Sequence, residues 1–213
     1  MTTTSAPAIT PIHVADLTVE GEVMPVCVHR IEHPEARVLV DTGMTEVHPR
    51  AAAMAPRLRP LSEQALDLDS IDIVINTHLH GDHCGGNHLF PGRPIYVQRR
   101  ELDDARVNDE YIREWVDPPG VNYVPVDGEL ELLPGLRLVP APGHTRGTQI
   151  VVIEIGVRPT IVAGDVAVWS GELNDPQTEG QRAVRALNPD RVWLAHEHEP
   201  WTGPPGLPQT APT

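Results

Sequence analysis

The sequence predicts an α/β (α+β) protein made of two similar αβ halves, packed sheet to sheet with helices outside. Three observations point there. Strand-like runs precede a helical stretch in the first half, and the same order returns in the second. The runs are short and rich in β-branched residues, and 23 prolines and 17 glycines supply frequent turns between them. The length of 213 residues and the hydrophobic content of 40% suit one domain with a real core.

That domain is expected over residues 9–202, between an N-terminal tail at 1–8 and a Pro-rich tail at 203–213. Val23–Ile31 and Arg37–Val40 read as a hairpin around Glu32-His33-Pro34-Glu35. Asp41-Thr42-Gly43 follows as a strand-end loop. His48–Leu58, with its alanines, predicts a short helix closed before Pro60. Ile71–Thr77 is a buried strand running into His78-Leu79-His80-Gly81-Asp82-His83-Cys84-Gly85-Gly86. Ile95–Gln98 predicts a strand and Arg99–Val107 a helix. In the second half, Gly128–Leu133 and Leu136–Val139 pair around Pro134-Gly135, and Pro142-Gly143-His144-Thr145 forms a loop. Gln149–Ile155 and Thr160–Ala163 are strands, the latter ending at Gly164-Asp165. Pro176–Leu187 predicts a helix capped by Asp175 with Pro176 at its first position. Arg191–Ala195 is a last strand, ending at His196.

Composition excludes several functions. All 16 basic residues are Arg, so Schiff-base lysine, P-loop lysine and Ser-Lys chemistry are closed. A net charge of −14 with no basic cluster argues against nucleic acid or anionic membrane as a partner. Cys27 and Cys84 make no disulfide framework. No signal peptide or transmembrane run is visible, so a cytoplasmic protein, monomer or homodimer, is the expectation. The remaining oddity is 11 histidines.

Their strongest grouping is His78-x-His80-x-Asp82-His83, straight after a buried strand. On a tight loop, positions two apart can face one ion while the next two face another. Imidazole with carboxylate suits zinc, with iron, manganese and cobalt as alternatives. His144, Asp165 and His196 each sit at a strand end, where sites are commonly built. Five His and two Asp are too many for one tetrahedral ion and about right for two. His198 competes with His196, which ends its strand directly. His88, His13, His29, His33 and His48 lack ligand spacing. Cys84 reads as a small buried neighbour. Trp169, Phe90, Tyr96, Tyr111 and Trp115 divide between core packing and a substrate cleft, and Arg146 reads as a solvated side chain.

The order HxHxDH, PGHT, GD and a strand-terminal His resembles the metallo-β-lactamase-fold hydrolases across roughly residues 10–202. The resemblance implies a four-layer αββα sandwich with the site at one edge. It places His78, His80 and His144 at a first metal site, and Asp82, His83 and His196 at a second. Asp165 matches the bridging carboxylate, and Asp41 a buried carboxylate behind the ligands. His-Leu-His-Gly-Asp-His-Cys-Gly-Gly-Asn looks most like acyl-homoserine-lactone lactonases, whose activity quenches quorum signals. Such lactonases often carry a tyrosine three residues after the bridging Asp; here that residue is Val168.

The function so implied is a dinuclear zinc hydrolase acting on a neutral or anionic small molecule, by lactone or ester opening. Two divalent metal ions sharing Asp165 would hold a hydroxide at pH 7, and Asp82 would be the catalytic proton shuttle. Asp41, Thr77 and Asn76 are candidates to tie down the outer ring nitrogens. A glyoxalase II-like thioester hydrolase is the alternative, and the absence of a basic cluster for glutathione weighs against it. A one-iron persulfide dioxygenase would not need all seven ligands.

Overall fold

A computed structural model of the chain describes residues 7–203. Most of both expected tails, 1–6 and 204–213, lies outside the described residues.

Two mixed sheets face each other. The first contains β1 (Ala8–Val19), β2 (Glu22–Glu32), β3 (Arg37–Val40), β4 (Arg57–Leu58), β5 (Ile73–Ile75), β6 (Pro94–Gln98) and β7 (Asn122–Val126). Their spatial order is β4-β1-β2-β3-β5-β6-β7. The second contains β8 (Leu130–Leu133), β9 (Leu136–Pro140), β10 (Gln149–Ile153), β11 (Thr160–Gly164) and β12 (Arg191–Leu194), in the order β12-β11-β10-β9-β8. Helices α1 (Gly81–Cys84), α2 (Arg99–Ala105) and α3 (Arg113–Val116) belong to the first half, and α4 (Glu179–Ala186) to the second. This is the four-layer αββα sandwich that the resemblance implies.

The packing explains the apolar runs. Successive strand residues point to opposite faces. Val38, Val40 and Ile75 meet Leu136, Leu138, Val151, Ile153 and Val162 between the sheets. Leu39 and Val74 face the opposite way, into a core shared with Leu102 of α2 and Trp115 of α3. Ile150, Val152, Ile161 and Ala163 pack against Val184 of α4. Strands covered on both faces need continuous hydrophobicity rather than alternation.

Three local expectations change, and two strands had no counterpart among them. Residues 48–58 form no α-helix: Pro49–Met54 is a 3-10 segment, and Arg57–Leu58 pairs with β1. Ala55 takes a left-handed φ of 44° before Pro56, which disfavours a helical predecessor. The second-half helix starts at Glu179 and is capped by Thr178, not Asp175. Thr178 Oγ1 accepts from Gln181 N and Gln181 Oε1 accepts from Thr178 N, a reciprocal cap that outcompetes Asp-Pro. The buried strand expected over 71–77 is a strand only at Ile73–Ile75. β1 and β7 carry no clear signal in the sequence; β1 is interrupted by Pro11, His13 and Asp16 and by a register shift between His13 and Ala15.

Two backbone bonds stitch the sheets together where the strands end. Gln149 N donates to Thr77 O at 2.9 Å, and Cys27 N to Ala195 O at 2.8 Å. Gly164, at φ 52°, lets β11 approach the turn after β5 so closely that a Cβ would lie 2.4 Å from Thr77 Oγ1. The segments after β3, β5, β9, β11 and β12 therefore converge on one edge.

Candidate metal centre

His78 is fully buried, and His80 sits extended at the start of α1, with φ −66° and ψ 155°. Leu79 between them points into the core. Extended geometry puts 78 and 80 on the same side. Asp82 and His83 follow in the single turn of α1. Gly81 has no room for a side chain, because a Cβ would lie 2.5 Å from the Trp115 ring.

All seven residues expected from the sequence meet here. His78, His80 and His144 form one candidate metal-holding group; Asp82, His83, Asp165 and His196 form the other. His80 Nδ1 lies 3.1 Å from His78 Nε2 and 3.0 Å from His144 Nε2. Asp165 Oδ2 lies 3.2 Å from His196 Nε2 and 3.3 Å from His83 Nε2. The same oxygen is 3.6 Å from His144 Nε2 and 4.0 Å from His78 Nε2, so it stands between the groups. Asp82 Oδ2 completes the second group, 3.6 Å from His83 Nε2 and 3.7 Å from His196 Nε2.

The donor set fits divalent ions. Tetrahedral zinc with bonds of about 2.0–2.1 Å separates its ligands by about 3.3 Å. His83 Nε2 and Asp165 Oδ1 are buried without a hydrogen-bond partner, a costly arrangement unless something else meets them.

Outer contacts hold the rings. Asp41 Oδ2 accepts from His83 Nδ1 at 2.8 Å and from Thr77 Oγ1 at 2.7 Å, while Asp41 Oδ1 accepts from Thr77 N at 2.8 Å. Thr77 Oγ1 is 3.2 Å from His78 Nδ1, and His196 Nδ1 donates to Pro25 O at 2.8 Å. Asn76 reaches the His83 carbonyl at 3.2 Å rather than a ring nitrogen. His198 turns away, with its Nδ1 3.9 Å from Cys27 Sγ. His88 bonds to Gly85 O, and His33 to Pro134 O.

The two groups differ electrically. Burial holds His78, His80 and His144 below the ordinary imidazole range, so they are neutral and free to ligate at pH 7. Burial also works against charge on His83, but Asp165, Asp82 and Asp41 outweigh it and push its pKa well up. His196 rises to about 9 against the same burial, mainly through Asp165. Burial works to raise the Asp165 pKa, yet His83 and His196 hold it well below the carboxylate range. For His196 the folded pKa exceeds the unfolded 6.5. Its stabilising contribution is therefore complete below pH 6.5 and is lost as pH rises through about 9. Loading chelated protein with Zn2+ at pH 7 should release about one proton from each of His83 and His196. Calorimetry in two buffers of different ionisation enthalpy measures this; heats independent of buffer would contradict it.

Two cavities meet at His80, Glu110 and His144. One, of about 420 Å³, reaches both groups and is walled by Leu17, Val19, Met24, Met44, Trp115 and Val168. The other, of about 760 Å³, is polar and runs past Tyr111, Arg146 and Thr178. Of the candidate aromatics, Trp115 lines the apolar cleft and Tyr111 the polar cavity, while Phe90 is core and Trp169 is 60% exposed. Sequence reasoning missed Glu101, a fully buried carboxylate behind the ligands. It lies in a charged run, Arg99–Asp104, whose pattern carries no sign of a buried carboxylate.

A family model for the metallo-beta-lactamase superfamily matches residues 23–196. An N-acyl homoserine lactonase of a Bacillus species is 34% identical over 148 residues, 62% of this chain and 59% of that relative. The chain thus spans less than two thirds of that relative's length. Among solved structures, a B. thuringiensis AiiA variant with N-decanoyl-L-homoserine at its active site superposes with a TM-score of 0.74 at 24% identity, covering 92% of this chain and 94% of that one. An N-acyl homoserine lactone hydrolase with N-hexanoyl-L-homoserine at its catalytic metal centre gives the same score, identity and coverage.

Proposed function

The chain belongs to the metallo-beta-lactamase superfamily, and from that premise we propose that it is a dinuclear zinc lactonase opening N-acyl homoserine lactone-like substrates. The observation that carries the reading is the apolar cleft ending on both groups, at His80, Asp82, His144, Asp165 and His196. Such a cleft suits an acyl chain attached to a polar, reactive head. The similarity to N-acyl homoserine lactonases supports it.

His78, His80 and His144 would hold one ion, Asp82, His83 and His196 the other, and Asp165 both. Bound there, two divalent ions supply Lewis acidity and lower the pKa of water. Asp41, Thr77 and Pro25 O keep the rings aimed inward. Asp82 would be the catalytic carboxylate: Oδ2 faces the ion with His83 and His196, and the other oxygen would take a proton and deliver it to the leaving oxygen. Leu17, Met24, Met44 and Trp115 pack the acyl chain and exclude water. Val168 adds an isopropyl wall, and among the described residues no Tyr, Ser or Thr lines this cleft. The cleft also disfavours a glutathione thioester. Its one arginine, Arg50, is committed to the carbonyls of Tyr111 and Asp109.

Metal-reconstituted protein assayed on lactones, glutathione thioesters, cephalosporins and phosphodiesters tests the reading. Lactones should give the highest kcat/KM, rising up to about fourfold per added acyl methylene, from about 0.8 kcal/mol per buried CH2. A preference for the thioester, or no dependence on chain length, would sink it.

A further inference from the structure

Glu101, in α2, is fully buried and touches none of the seven metal-facing side chains. A carboxylate placed so needs several donors, and it has them. Oε1 accepts from Leu79 N at 2.9 Å and from Tyr111 Oη at 3.1 Å. Oε2 accepts from Thr145 Oγ1 at 2.6 Å. Leu79 lies between His78 and His80, and Thr145 directly follows His144. One carboxylate therefore ties together the two segments that carry the three-imidazole group, reaching 22 residues back to Leu79 and 44 forward to Thr145.

The surrounding packing makes this tie rigid. At Gly147 a Cβ would lie 2.3 Å from Glu101 N and 2.4 Å from Glu101 Cα, so the 144–147 loop rests on the backbone of α2. Thr145 is fixed a second time by Thr148, whose Oγ1 accepts from Thr145 N at 3.0 Å. The other group has different supports: Asp41 on His83 and Pro25 O on His196.

We infer that Glu101 is a positioning residue that sets the spacing of His78 and His80 against His144, and thereby the metal affinity of that group alone. Glutamine cannot replace it, because its NH2 would face donors at one end. The inference rests on the two-metal reading, and it is tested through metal affinity, so the substrate assignment can fail without touching it.

The test is a Zn2+ titration against a chromophoric chelator. E101Q is introduced into a His196→Ala background, which leaves the three-imidazole group, and into a His80→Ala background, which leaves the other. In the first, the Zn2+ Kd should rise about 10- to 100-fold, the usual cost of losing an outer support. In the second, it should change less than about threefold. Thr145→Val removes a single donor and should produce a smaller rise, again only in the first background. It decides the matter if E101Q does not fold. Equal rises in both backgrounds would assign Glu101 a merely structural role, and no rise in the first would exclude any role in positioning; either overturns the inference.

Discussion

Asp165→Asn is expected to lower kcat/KM for lactone opening by about 10³-fold, since uncompensated charge in a buried cluster costs about 3–5 kcal/mol. Zn2+ content should fall from two ions per chain to one or fewer. The variant keeps the shape of the side chain and removes its charge. Asp165 Oδ2 stands within 3.2–4.0 Å of a nitrogen of four imidazoles, His196, His83, His144 and His78. Among the described residues it is the one carboxylate oxygen that close to both groups, so its loss should weaken both. A second readout is independent of metal: in chelated protein the His196 pKa should drop from about 9, because Asp165 is the main group holding it up. NMR titration of the imidazole measures that shift. A variant that retained two ions and the parental rate would refute the shared-carboxylate arrangement.

Asp41→Ala should be the most damaging change outside the ligand set. The side chain accepts three hydrogen bonds, from His83 Nδ1, Thr77 N and Thr77 Oγ1. Removing it strands buried donors at about 1–3 kcal/mol each, so unfolding stability should fall by about 4 kcal/mol. Position 41 also adopts φ 62°, where alanine is strained and asparagine is tolerated. Asp41→Asn therefore separates the two roles. It should preserve most of the thermal midpoint while weakening Zn2+ binding about 10- to 100-fold, because His83 loses its anionic partner. Calorimetry and chelator competition on the pair measure this. Equal metal affinity in Asp41→Asn and the parent would remove Asp41 from any role in tuning the centre.

The sequence made the ligands legible because they stand at the ends of readable strands. Ile150, Val151, Val152 and Ile153 form an unbroken apolar run since both faces are covered. Each candidate ligand follows a strand, His144 and Asp165 directly after a Gly and His78, His80, Asp82 and His83 in one compact cluster. β1 was not legible for the opposite reason: His13 and Asp16 face an exposed edge, where they meet Arg59, and so break the pattern. The capping of α4 turned on a Thr178–Gln181 reciprocity that Asp175-Pro176 masked. Glu101 and the cleft wall were hidden more deeply. Glu101 earns its place through partners 22 and 44 residues away, and Leu17, Met24, Met44 and Trp115 come together only when β1, β2 and α3 surround the site edge. Local sequence carries no record of such meetings.

The central claim is a hydrolase that works with two ions sharing Asp165. It is tested most directly by measuring the lactone-opening rate while Zn2+ is added stepwise to chelated protein. A two-ion centre should give negligible rate without metal and a rise that breaks at two equivalents per chain. Full rate in chelated protein, or a plateau at one equivalent, would contradict it.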